Sequence, residues 1–394
     1  MILMLNIIIR EWKRILSLKV FYLVMLVVPV ALFFFYAFIY QKQDAKNLAF
    51  AIWDEDQSAI SRELIFLLEQ KETLQITRRV SSEAEVKKLI QEGKILGAVH
   101  FPANLQKNIY SRHPSNVTLY TNAAALVPAK LVYKAVAEVV ITGSTGVILQ
   151  KLVKTGMKSN QAMAIANPIS LRTYQLYNPT YNYQEYLVPG LITVGMQMIL
   201  IISSMLALNY EWITGTMQEL YDSSKGSVVV VIIGKTIAHL GISWFNFIII
   251  TGIIFPFFDI GIPAATGKFF VLYTMLSLVC IGIGMFISAL FKDVMLSGDV
   301  ALFYTSPAFV FSGFTFPRWA MPWYDQYYAL IMPYTAFLDG FFKVYYMNLP
   351  LKYAQGEVAK LLLFCLVMYP TAMLLFKRQF NSIKDEKETA TIAD

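Results

Sequence analysis

Histidine and cysteine are scarce in this 394-residue chain, at three and two residues. His100, His113 and His239 are scattered and make no ligand motif. Cys280 and Cys365 both lie in apolar runs and read as small buried hydrophobes, so no disulfide framework or metal cluster is implied. Charge is scarce too. Asp, Glu, Lys and Arg make up 15% of the chain, where soluble domains carry about 25%. Hydrophobic residues reach 57% and aromatic residues 14%. This balance excludes a wholly soluble chain and indicates an integral membrane protein with a substantial water-soluble part. No Ser/His/Asp, Cys/His or paired-carboxylate constellation supports hydrolysis in the membrane. The net charge of +7 does not imply nucleic acid. Lysines and arginines flanking membrane spans account for much of it.

The apolar runs set the organisation. Residues 1–19 read as a cytoplasmic amphipathic helix in the headgroup plane, with Leu5, Ile8, Trp12 and Ile15 on one face and Arg10, Lys13, Arg14 and Ser17 on the other. Residues 20–40 are long enough to cross a bilayer, and no small-residue cleavage site follows them, so they read as an uncleaved first span. Residues 41–186 read as an extracytoplasmic α/β domain. Leu48–Trp53, Thr73–Val80, Ile95–Phe101 and Val117–Thr121 have strand composition. Ser58–Gln70 and Ser82–Gln91 have helical periodicity, and Ser82 with Glu85 fits a capping box. Val127–Lys154 reads as a long helix of the same domain. Residues 187–376 hold spans two to six, at Leu187–Leu208, Val228–Phe258, Phe269–Phe291, Val294–Phe311 and Val358–Phe376. Ser312–Ala354 is apolar but broken by Pro317, Pro322, Pro333 and Pro350, so it reads as a re-entrant outer hairpin of two short helices. The polar tail, residues 377–394, reads as cytoplasmic and disordered beyond Asn381. The expected fold is therefore an α-helical polytopic membrane protein of six transmembrane helices with an inserted α/β (α+β) domain. Basic flanks put both termini in the cytoplasm.

Between spans two and three lies the densest polar cluster of the second half. Glu211, Thr214, Thr216, Gln218, Glu219 and Asp222 cannot lie in hydrocarbon. Ile213, Met217, Leu220 and Tyr221 recur at helical spacing, which predicts a short amphipathic helix at about 210–226 with its acidic side chains facing away from the apolar stripe. Such a helix can dock into something outside the membrane, or it can lie on headgroups. Gly234-Lys235-Thr236 does not complete a P-loop, because Val229 stands where the first glycine is needed. Lys235 is expected to snorkel to the headgroups. Asp299 is a pathway candidate that could pair with Lys292 or Lys235. His239, Ser243 and Asn246 form a polar stripe on the third span that could line a pathway or pin a neighbouring helix.

Several strings together resemble type 2 ATP-binding-cassette exporter permeases, in the branch with a large extracytoplasmic domain after the first span. These are Asn178-Pro179 with Tyr186, Pro189, Gly190 and Leu191; Glu211, Gly215, Thr216 and Leu220; Gly234-Lys235; Ser288-Ala289; Ser306-Pro307 through Ser312-Gly313-Phe314, Phe316-Pro317 and Met321-Pro322; and Met332-Pro333-Tyr334-Thr335. The chain departs from the family pattern at Ile213, where a second acidic residue is usual, and at Ser223-Ser224-Lys225-Gly226, where Thr-Pro-x-Ser is usual.

The resemblance implies a permease of the bacterial inner membrane with no catalytic site and no bound cofactor. ATP and Mg would sit on a separate cytoplasmic ATPase. A second permease chain, identical or not, would complete the pore, and a periplasmic adaptor and membrane lipid are further expected partners. The implied substrate is amphipathic, lipid-like, drug-like or a glycan. Glu211, Gly215, Thr216, Gln218, Glu219 and Leu220 would couple to the ATPase. Pro189, Gly190, Pro307, Gly313, Pro317, Met321, Pro322 and Pro333 would shape span entry and an outer gate. The competing readings are a membrane-anchored receptor or assembly scaffold and an ion-coupled secondary transporter. His239, Asn246 and Asp299 are the possible pathway residues; an ion-coupled transporter would lean on Asp299 and His239 and would show internal repeats, and none is evident.

Overall fold

The computed structural model describes residues 2–41, 46–111, 113–169, 174, 176–178, 182–261 and 266–393, with the backbone alone described from 383 onward. The chain divides into two compact units, residues 42–175 and residues 1–41 with 176–394.

The first unit is a four-stranded sheet with helices on both faces. Its strands are β1 (Leu48–Asp54), β2 (Leu74–Arg79), β3 (Gly97–Phe101) and β4 (Thr118–Thr121), in the order β2-β1-β3-β4. β1 runs parallel to β2 and β3, while β4 is antiparallel to β3. Side chains alternate across a strand, and the core divides accordingly. Phe50, Ile52 and Val99 pack with Leu64, Leu68, Val132 and Val136 on one face, and Ala51 and Ala98 pack with Val86 and Leu89 on the other. The Ala59–Glu69 helix starts at a reciprocal cap between Ser58 and Ser61. At the next helix Ser82 accepts from Glu85 N, while the Glu85 carboxylate reaches Ser81 N rather than Ser82, so the expected box closes one residue early. Leu126–Lys154 is one helix and packs on the sheet through Val132, Ala135, Val136 and Val139.

The second unit is helical. Its first helix, α1, spans Ile2–Ser17, followed by Lys19–Tyr40. Then come α2 (Tyr183–Ile213), α3 (Met217–Ser224) and α4 (Val228–Phe257), followed by Thr266–Leu290 and Val294–Phe311. Seven helices among the described residues are long and apolar enough to cross a membrane. Six lie in this unit, and the seventh is the sheet-packed Leu126–Lys154. The protein is thus a polytopic helical membrane protein.

Two boundaries differ from expectation. The second long helix runs to Ile213, so the polar cluster is not one helix from 210 to 226: the chain breaks at Thr214–Thr216 and restarts at Met217. The last helix, α7 (Gln355–Ala393), continues through the tail that composition marked as disordered. The proline-broken stretch folds as expected into separate pieces, a 3-10 turn at Arg318–Ala320 and the short helices α5 (Trp323–Leu330) and α6 (Pro333–Phe341). Each proline sits where a missing N–H is harmless: Pro317 and Pro322 precede a helical piece, and Pro333 begins one.

Candidate coupling site

The short helix α3 buries Met217 and Leu220 and exposes Gln218, Glu219 and Asp222. Gly215 takes a positive φ of 67° at the break before it, a conformation that suits glycine. Thr216 precedes the helix without capping it; its hydroxyl donates instead to Glu211 Oε2 at 2.5 Å. Ile213 is 59% exposed beside the turn and does not belong to the buried stripe. The exposed rim of the site is thus Ile213, Thr214, Gly215, Gln218, Glu219 and Asp222.

Glu211 is fully buried, which corrects the expectation that it faces away with the other acidic side chains. A buried carboxylate must be paired, and three cations close on it. Arg10 grips it two-pronged, Nη1 to Oε1 at 2.7 Å and Nη2 to Oε2 at 2.9 Å. Arg14 donates to Oε1 as well, and Lys235 Nζ donates to the same oxygen at 2.9 Å. Arg10 Nε also reaches Glu219 Oε1 on α3 at 3.2 Å. Lys235 pairs in addition with Glu11, and His239 Nε2 lies 3.3 Å from the other oxygen of Glu11. Arg14 is further held over the rings of Phe21 and Tyr210, each centroid 5.2 Å away.

Two expectations fail here for one reason. Lys235 does not snorkel, since it is fully buried between Glu11 and Glu211. α1 does not simply lie in a headgroup plane: it buries Ile7, Glu11 and Ile15, leaves Leu5 exposed, and packs on α4. The burial face is rotated from the one that hydrophobicity alone selects, because a charge that finds a partner can be buried. Gly234 permits the approach; a Cβ there would stand 2.8 Å from Ile7 Cγ2.

Ser288 and Ala289 stay near the ionic cluster, where Ser288 donates to Asn209 and Gln379 donates to the Ala289 carbonyl. At the other end of the unit, the Gly190, Gly313 and Pro333 strings meet. Gly313 bends the chain at φ 97° and delivers Phe314 against Gly190, where a Cβ would fall 2.2 Å from the ring. Tyr186 stacks on Phe314 at 5.3 Å and donates to its carbonyl at 3.0 Å. Tyr334 donates to the Gly190 carbonyl at 3.1 Å, an acceptor next to Pro189 inside the helix. Pro307 opens the last turn of the Val294–Phe311 helix, and Met321 is buried behind the 3-10 turn. Pro179 lies outside the described residues.

The pathway candidates separate. Asp299 is exposed and pairs with neither suggested lysine; Lys292 instead lies over the Trp212 ring at 4.3 Å. His239 faces Glu11, Ser243 bonds Ser277 at 2.8 Å, and Asn246 donates to Met25 O at 2.9 Å. That stripe pins helices together.

A family profile described as ABC-2 family transporter protein matches residues 19–376. The chain belongs to the ABC-2 transporter family. It is 22% identical over 336 residues to the probable multidrug ABC transporter permease YbhR of Escherichia coli strain K12, covering 85% of this chain and 88% of that protein. The same figures hold for YbhR of Escherichia coli O157:H7. This ABC-2 protein is a permease subunit of an ABC exporter, and such permeases work in pairs with an ABC ATPase.

Two outcomes test the cluster in this ABC-2 permease. Burial alone raises the Glu11 carboxyl, but Lys235 and His239 outweigh it and hold the group at about 2, below its ordinary 4.5. A depressed carboxyl contributes stability above its unfolded pKa and loses it as pH falls through the folded value. Thermal stability of the purified permease should therefore hold down to pH 4.5 and decline between 4.5 and 2, and Glu11→Gln should remove its share of that decline. Separately, Lys235→Met removes the lysine partner of buried Glu11 and one of the three cations on Glu211, and should cost about 3–5 kcal/mol. Lys235→Met with Glu11→Leu should cost less than Lys235→Met alone, read as a coupling energy in a double-mutant cycle of thermal unfolding.

Proposed function

We propose that this permease receives the ATPase on the rim Ile213–Asp222 and passes its movement into the membrane through the Glu211 cluster. The observation that carries this is the bonding of one buried carboxylate on α2 to α1 and α4 at once. A push on α3 reaches Arg10 through Glu219, and Arg10 is locked to Glu211. The three elements then move as one body, so a small displacement at the rim becomes a displacement of two long helices.

The rest of the reading follows the positive-inside rule. Six helices of the second unit span a bacterial inner membrane with both termini and α3 in the cytoplasm. The sheet unit lies on the outer side. Leu126–Lys154 belongs to it, supported by the burial of Val132, Ala135, Val136 and Val139 on the sheet. The α5–α6 hairpin roofs the pathway as an outer gate. The cargo is an amphipathic, drug-like or lipid-like molecule, a class supported by the multidrug designation of YbhR. ATP and Mg belong to the partner ATPase, and a periplasmic adaptor is a further candidate partner.

Coupling is tested at the exposed rim, where folding is least at risk. Gln218→Lys with Asp222→Lys should leave expression and thermal stability within about 0.5 kcal/mol of the parent, as surface changes do, while ATP hydrolysis by the reconstituted complex no longer responds to transport substrate. Coupling that survives both changes would move the docking surface elsewhere. Topology is tested with Ser111→Cys and Glu63→Cys, each in a chain carrying Cys280→Ala and Cys365→Ala. Both should react with an impermeant thiol reagent on spheroplasts; reaction only after lysis would place the sheet unit in the cytoplasm.

A further inference from the structure

A slot of about 350 Å³ lies between the outer hairpin and the last long helix. Its walls are Met332 just before α6, Thr335 and Ala336 from α6, and Lys360, Leu363, Phe364, Val367 and Met368 from α7, with Leu330 and the Arg318–Asp339 pair closing one side. The size lies at the low end of the roughly 300–1,000 Å³ typical of small-molecule sites.

The slot is polar at one end and apolar along the rest. Lys360 stands one turn above Leu363 and Phe364 and two turns above Val367 and Met368 on the same helix face. Leu363 is 60% exposed and Val367 48%, so the apolar end is open sideways, continuous with exposed Leu362, Leu366 and Leu374. At the polar end, Lys360 forms no ion pair among the described residues. Arg318 holds Asp339 through Nη2 alone, 2.6 Å from each carboxylate oxygen, which leaves its other donors for a ligand. The charged groups lining the slot are thus two cations and one carboxylate; Glu357, one turn before Lys360, bonds Lys343 at 2.8 Å rather than Lys360. Thr335 supplies an independent sign of a ligand: it is 3% exposed, it lines the slot, and its hydroxyl has no hydrogen-bond partner among the described residues. A buried hydroxyl without a partner is costly.

We propose that this slot holds one acyl chain of an anionic bilayer lipid. The chain lies along Leu363, Phe364, Val367 and Met368. The headgroup phosphate sits between Lys360 and the free edge of Arg318, where cations recognise it by charge and by hydrogen bonds. The Thr335 hydroxyl donates to an ester oxygen at the top of the chain. A bilayer lipid is the occupant because the slot opens onto the exposed apolar side of a spanning helix. The assignment requires only that this unit spans a membrane and is independent of the coupling reading.

The test uses the full-length permease in nanodiscs containing phosphatidylglycerol or phosphatidylcholine with a photoactivatable diazirine in the acyl chain, and maps the labelled peptides by mass spectrometry. Phosphatidylglycerol should label 330–336 and 363–368 more than phosphatidylcholine by about fivefold, the factor one basic side chain supplies at an anionic surface. Lys360→Glu should bring the two lipids level, and Val367→Trp should remove labelling of 330–336 by filling the slot. In both variants labelling of the exposed Ile248 and Ile253 should be unchanged, which shows that the fold is intact. Equal labelling by both lipids in the parent, or labelling indifferent to Val367→Trp, would reduce the contact to ordinary boundary lipid and overturn the proposal. Labelling by a diazirine fatty acid added from water, with none by phosphatidylglycerol, would assign the slot to a free amphiphile and overturn it equally.

Discussion

The arrangement of the helical unit depends on one carboxylate that has been taken out of water. Glu211 is buried at the end of a long apolar helix, a position that no carboxylate holds without compensation. Its compensation comes from Arg10, Arg14 and Lys235, on two other elements. Those elements must therefore arrive in register for the helix end to exist at all. Removing a partner does not merely delete a contact; it leaves a charge stranded, which is why such a cluster fixes relative position more strictly than apolar packing does.

Much of this was legible in the sequence, and the boundary of legibility is physical. The sheet unit was readable because its signals are local: β-branched runs of strand length, helical periodicity from Ser58, and a cap at Ser82 with its partner three residues on. The hairpin was readable because proline constrains its own backbone. The second helix was placed correctly but ended too early. Glu211 looked like the start of a surface loop, and only a partner 201 residues away makes it an interior residue. The same distance hid the role of α1. Its basic side chains were assigned to headgroups because nothing nearby in sequence could answer them. Leu126–Lys154 shows the opposite ambiguity, since apolar length alone cannot distinguish a bilayer from a sheet as the burying surface.

The family strings also acquire mechanical content. Gly234-Lys235 works as a pair: the glycine lets α1 come close, and the lysine answers the carboxylate that α1 brings. Gly190 and Gly313-Phe314 belong to one joint, since the bend at Gly313 delivers the ring that only a glycine at 190 can accept. Asp299 carries no such partner among the described residues, and His239 and Asn246 are spent on holding helices together. The two ends of the unit are thus built differently, ionic at the end near α3 and aromatic at the end near α6.

The 201-residue separation between Arg10 and Glu211 also has a consequence for biosynthesis. α1 leaves the ribosome before the other described elements, and the carboxylate it will grip is made only after the whole sheet unit and most of the second long helix. Lys235 follows later still. During that interval Arg10 and Arg14 have no buried partner, and the helix can satisfy them only at a wet, anionic surface, with its apolar side chains turned to lipid. The amphipathic pattern that mis-stated the final seat of α1 is therefore the pattern that suits this helix before its late-made partners exist.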